Sequence, residues 1–187
     1  MVMITPQELS NGVRIEMNDS VWTVVEFQHV KPGKGGSFVR TKLKSLSTGR
    51  VVERTFKGTE RIPQAEVEYR NMQYVYREGE DFVFMDLGTY EQSTIPHDVL
   101  GDAPNYLKEG DEVSSLWWNG KPIGVDIPAK VELKIVETMP GVKGDTVTQA
   151  TKPAVLETGY EVQVPLFINS GEVIRVDTRT GKYVERA

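Results

Sequence analysis

Short alternating runs, each soon cut off by glycine, proline or an Asn-Gly pair, limit the folds open to this chain more than any other feature. Val131-Glu132-Leu133-Lys134-Ile135-Val136 is the cleanest of them, apolar and polar in turn. A period of two puts every other side chain on one face of a pleated strand, whereas a helix needs apolar residues three and four apart. The same alternation marks Val13–Met17 and Phe38–Leu43, and Val21–Val30, Val51–Phe56, Val67–Tyr76, Asp81–Asp86, Glu112–Trp118, Tyr160–Ile168 and Val173–Asp177 read as further strands, Val21–Val30 from its β-branched and aromatic residues. Ten prolines and 17 glycines are spread through the 187 residues, which disfavours long helices. The chain is therefore expected to be all-β, with helical turns only near Thr5–Leu9 and His97–Leu100. Asn119-Gly120 and Arg77–Glu80 read as hairpin turns.

Composition removes several chemistries. No apolar run reaches the ~18 residues of a spanning helix, so no membrane partner is expected. The opening Met1–Glu8 lacks the basic region and apolar core of a signal peptide. Zero cysteines exclude disulfides and thiolate ligands and suit a reducing, cytoplasmic setting. With only His29, inside a strand, and His97, after Pro96, a histidine-based metal site is not expected, nor is a cofactor.

The turn pattern divides the chain into three small barrels: residues 1–64, 65–128 and 129–187. Charge follows this division. The first holds 10 Lys/Arg against 6 Asp/Glu, the second 4 against 13, and the third 8 against 8. A basic N-terminal segment and an acidic middle do not fit a protein that coats nucleic acid along a whole face. The last two segments echo each other. Leu107-Lys108-Glu109-Gly110-Asp111-Glu112-Val113 matches Ile168-Asn169-Ser170-Gly171-Glu172-Val173-Ile174, and Gly120-Lys121 matches Gly181-Lys182. That spacing suits a duplicated five-stranded OB barrel better than a solenoid unit.

Between the strands Val21–Val30 and Phe38–Leu43 lies Lys31-Pro32-Gly33-Lys34-Gly35-Gly36. Pro32 fixes its own φ, and the three glycines can take positive φ and leave no β-carbon beside Lys34. The result is a slim projection with one ammonium near its tip. A phosphate-binding P-loop is ruled out, because Gly35 rather than Ser or Thr follows the lysine and a strand rather than a helix comes next. A Schiff-base lysine would need an apolar pocket or a cationic neighbour. A plain polar hairpin loop stays open on these residues alone.

Three stretches in fixed order carry a family resemblance: Lys31–Arg40, Gly101–Leu107, and the C-terminal set Val142–Thr146, Lys152–Gly159, Val164–Ile168 and Gly171–Gly181. Through them the whole chain resembles the bacterial elongation factor P family. The resemblance implies an N-terminal SH3-like (KOW-type) barrel and two OB-fold barrels in an L shape that imitates a tRNA. It implies a monomer that binds the 70S ribosome and its rRNA between the peptidyl and exit sites and relieves stalling at consecutive prolines. The peptidyl transferase is the ribosome's, and no catalytic residue is expected in this chain.

On that likeness the loop Lys31, Pro32, Gly33, Lys34, Gly35 and Gly36 reaches along the peptidyl-site tRNA, and Lys34 is a substrate for a lysine-modifying enzyme. Gly101, Asp102, Tyr106 and Leu107 face the exit-site codon of the mRNA, and Tyr183 and Arg186 face the small subunit. Read without the family, Asp102 is an Asx-turn cap and Tyr106 a core anchor. Trp117-Trp118 reads as one core ring and one exposed ring. The rival function is a general OB-fold binder of single-stranded nucleic acid, which would grip free oligonucleotides with steep salt dependence.

Overall fold

The computed structural model describes residues 1–141 and 150–187. Val142–Thr146, part of the third matching stretch, and Thr148 lie outside them. Cα packing gathers the chain into two compact units, residues 1–69 with 116–124, and residues 70–115 with 125–187.

In the first unit β1 (Met3–Ile4) and a 3-10 turn (Pro6–Glu8) precede β2 (Arg14–Met17), β3 (Ser20–Val30), β4 (Phe38–Ser45), β5 (Val51–Lys57) and β6 (Ile62–Pro63). The 3-10 turn starts where Pro6 can stand without an N–H, and Glu8 reaches back to the Thr5 amide at 2.6 Å. β2 to β5 form an antiparallel meander, and β1 pairs with β6. Ile15, Val24, Val39, Leu43, Phe56 and Ile62 meet inside as the core. Each such burial stabilises the fold by about 1.5–3 kcal/mol.

β3 loses register with β4 between Val24 and Glu26. Such a bulge bends and twists a strand. Beyond it Glu26, Phe27, Gln28 and His29 are exposed on both faces. Pairing nevertheless continues to Val30 opposite Phe38. β3 therefore leaves the hydrophobic core before its end while β4 keeps Val39 in it, and the loop between them lies beyond that last core residue.

The middle sheet takes β7 (Glu68–Glu78), β8 (Asp81–Asp86), β9 (Gln92–Ile95), β10 (Glu112–Trp118) and β11 (Lys121–Asp126) in the order β11-β10-β7-β8-β9. One helical turn, α1 (His97–Leu100), follows β9, and a 3-10 turn covers Ala103–Asn105. The last sheet runs β14 (Glu161–Pro165), β13 (Thr151–Leu156), β12 (Lys130–Thr138), β15 (Val173–Asp177), β16 (Lys182–Arg186). Its core is Leu133, Ile135, Ala154, Leu156, Val162, Val164, Ile168, Ile174 and Val176, with Tyr106 from the middle segment among them. The buried Lys152 ammonium donates to the carbonyls of Met139 and Ile168.

The echo between these two sheets is structural. Gly110 donates its amide to Tyr74 O and Tyr74 donates back to Asp111 O; Gly171 and Ile135 exchange the same pair, with Glu172 in place of Asp111. The register shifts at Tyr74/Tyr76 in β7 and at Ile135/Glu137 in β12. Gly110 and Gly171 have φ of +93° and +89°, and Gly120 and Gly181 have +72° and +70°. All these correspondences share one offset, 61 residues (171 less 110), as a tandem copy requires.

Candidate functional site

β3 and β4 present Lys31 to Gly36, and all six residues are exposed. Among the described residues Lys34 has no ion-pair, hydrogen-bond or ring partner, so its ammonium is free to engage something outside the chain. Of the loop glycines only Gly35 occupies the left-handed region, at φ +109°; Gly33 and Gly36 are there for slimness, with open space where a β-carbon would stand. The base is tighter. Gly58 donates to Ser37 O at 2.8 Å, and a β-carbon at 58 would lie 2.6 Å from Ser37 Oγ. Phe27 and His29 meet edge to face at 5.5 Å on the arm, and Arg40 lies over Phe38. The finger is thus braced at its root and bare at its end.

The stretch 101–107 divides in two. Gly101 ends α1 at φ +56° and ψ −122°, and with Asp102 it is exposed. Asp102 stands at the start of the 3-10 turn, yet its carboxylate makes no cap hydrogen bond. The Asx-turn reading therefore does not hold, and among the described residues the carboxylate has no partner.

Tyr106 and Leu107 behave otherwise: they are 4% and 7% exposed. Both were expected to face mRNA, and burial corrects this, since neither ring nor isobutyl group is presented to a strand of RNA. Tyr106 enters the C-terminal core and meets Tyr160 edge to face at 5.6 Å. Burial pushes its phenol up to about 12, with Tyr160 adding to the effect. Thr158 Oγ1 donates to Asn105 O at 2.7 Å. So Tyr106 is the anchor and Gly101-Asp102 the presented tip.

Tyr183 is half-buried against the same core, which raises its phenol above its ordinary value. Arg186 is exposed but engaged, its guanidinium 4.7 Å above the Phe167 ring and 3.1 Å from Glu172. Trp117 is buried and Trp118 half-buried, as a core ring beside a more open one. Tyr106 and Tyr183 thus share one core, while the Lys34 loop belongs to the other compact unit. Sequence reading missed Thr158, Tyr160 and Gly181 as the clamp on Asn105-Tyr106. The Gly120/Gly181 echo was the available signal. Among the described residues no group of His, Asp or Glu side chains could hold a metal ion, and no helix is long and apolar enough to cross a membrane.

Comparison with known proteins bears on all of these residues at once. Family models for the elongation factor P KOW-like domain, OB domain and C-terminal domain match residues 5–62, 67–125 and 131–186. The chain belongs to the elongation factor P family. It is 54% identical over 185 residues to elongation factor P of Moorella thermoacetica, covering 99% of this chain and 100% of that one. It is also 54% identical over 184 residues to elongation factor P of Microcystis aeruginosa, covering 98% and 100%. Among solved structures, the eukaryotic translation initiation factor 5A from Methanococcus jannaschii is similar, with a TM-score of 0.54 and 22% identity over 67% of this chain and 94% of that one. That likeness concerns the fold alone. An elongation factor P chain of this kind is a translation elongation factor, all-β, with a KOW-like N-terminal domain followed by OB domains.

Proposed function

We propose that this elongation factor P chain binds the ribosome between the peptidyl and exit sites and restores peptide-bond formation at consecutive prolines by steadying the peptidyl-tRNA. The observation that carries the proposal is the Lys34 loop, exposed from Lys31 to Gly36, with an ammonium that has no partner among the described residues. Proline's ring fixes φ and stiffens the nascent chain, so the reacting groups are misplaced rather than inert. Correct placement is worth about 7–11 kcal/mol in favourable cases, so regaining part of it rescues the rate. An ammonium on a flexible stem, set against phosphates and riboses near the CCA end, positions without entering the chemistry. The ribosome's RNA forms the bond, and a modifying enzyme that lengthens Lys34 would extend the reach.

Gly101 and Asp102 read the exit-site codon in this account, held by Tyr106 and Leu107 from below. Tyr183 and Arg186 stand toward the small subunit. The test is Lys34→Ala in reconstituted translation. Folding is expected to stay unchanged, because the side chain touches nothing in the fold, while the stimulation of Pro-Pro bond formation falls to the factor-free rate. A variant as active as the parent would refute the role assigned to Lys34.

A further inference from the structure

The same turn is built three times among the described residues, and one copy departs from the others. In the first, Gly49 donates to Ser45 O at 2.9 Å, Ser45 Oγ accepts from the Thr48 amide, and Ser45 donates to Arg50 O. In the third, Gly181 donates to Asp177 O at 2.8 Å, Asp177 Oδ1 accepts from the amides of Arg179 and Thr180, and Asp177 pairs with Lys182. The middle copy matches them: residue 90 donates to Asp86 O at 2.8 Å, Asp86 Oδ1 accepts from Gly88 and Thr89, and Asp86 donates to Glu91 O. The fifth position is left-handed each time, with φ of +73°, +61° and +70°. It is glycine in the outer copies and Tyr90 in the middle one.

A tyrosine there is unfavourable, because a β-carbon crowds the carbonyl in the left-handed region. Among the described residues every other positive-φ position is Gly, Asn or Asp. The ring returns nothing to the fold: Tyr90 is 72% exposed, the most of any described aromatic residue, and has no ring or cation partner among the described residues. A rigid turn thus displays an aromatic face to the outside at a cost in stability.

The surrounding charge selects the occupant. From residue 78 to residue 98, the stretch around the ring, the chain holds six Asp/Glu and no Lys or Arg. Phosphates would be repelled by these carboxylates, whereas a guanidinium or ammonium is drawn to the ring face and to the carboxylates near it in sequence. We infer that Tyr90 is a docking residue for a basic protein surface of the ribosome, receiving an arginine or lysine side chain on its ring. This rests on the reading that the chain works on the ribosome, and the test separates the two.

The full chain is made with a photo-reactive benzophenone amino acid at position 90 and irradiated with purified 70S ribosomes. An adduct that survives ribonuclease and is lost to protease is expected. An adduct to RNA, or none although the chain sediments with ribosomes, overturns the inference and leaves the ribosome reading standing. Failure to sediment with ribosomes at all removes both. Binding variants give a second arm. Tyr90→Gly should melt higher than the parent yet bind ribosomes about tenfold more weakly, while Tyr90→Phe, which keeps the ring face, stays within about twofold. Parent-like binding by Tyr90→Gly also overturns it.

Discussion

Replacing Gly181 by alanine tests the clamp on Tyr106 more sharply than any change to the tyrosine itself. Two terms add. The backbone at 181 has φ +70°, where an L-residue is less stable than glycine by about 1–2 kcal/mol. The new β-carbon would also lie 2.6 Å from Tyr160 Oη and 3.1 Å from Tyr106 Oη. Tyr160 is half-buried against the core and edge to face with Tyr106, so it cannot slide away without breaking that packing. Forcing an extra carbon into a packed site costs about 1–3 kcal/mol. The expected loss is therefore about 2–5 kcal/mol. Gly49→Ala is the control, because φ is +73° but nothing stands within 4 Å of the new atom. Only the backbone term of about 1–2 kcal/mol applies there. Amide hydrogen exchange reads each barrel separately through its own core strands, β13 for the first variant and β4 for the second. Opening of β13 should rise at least about fivefold more in Gly181→Ala than opening of β4 rises in Gly49→Ala, fivefold being about 1 kcal/mol. Equal increases would refute the steric argument and with it the clamp.

Tyr106 supplies a pH signature. Its folded value of about 12 exceeds the ordinary 10.0, so the unfolded chain gives up this proton first. Its contribution is complete below about pH 10 and is lost as pH rises toward 12; urea midpoints should fall less steeply over that window in Tyr106→Phe than in the parent. Asp102→Ala should leave melting unchanged and hasten dissociation from ribosomes, measured by stopped-flow chase; an unchanged rate counts against the codon contact. Tyr106→Ala cannot serve that purpose, since removing a core ring costs about 3–5 kcal/mol.

Strand positions were legible because period-two alternation and Gly/Pro punctuation are local properties. The Lys34 hairpin could be read from two β-rich runs around Pro32 and the glycines. That it stands clear of the core could not, since this depends on a bulge near Val25 and on where the hydrophobic residues stop meeting. The OB duplication left a trace because Gly110 and Gly171 must both be left-handed. Tyr106 shows the limit. Its neighbours in sequence, Asn105 and Leu107, suit an exposed loop or a core alike, and what decides is Tyr160, 54 positions away (160 less 106) yet edge to face with its ring. Tyr90 was equally hidden, because a residue's φ is not written in its identity.

The central claim is that the tip of the N-terminal finger reaches the reacting end of the peptidyl-tRNA. Directed hydroxyl-radical probing tests it directly. The chain has no cysteine, so Gly36→Cys offers a single labelling site, at a position with open space for a side chain. With an iron chelate on that thiol and ribosomes stalled on consecutive prolines, strand cuts should fall at the CCA end of the peptidyl-tRNA and in the surrounding peptidyl-transferase RNA. Cuts confined to other parts of the ribosome, while the labelled chain stays bound, would contradict the account.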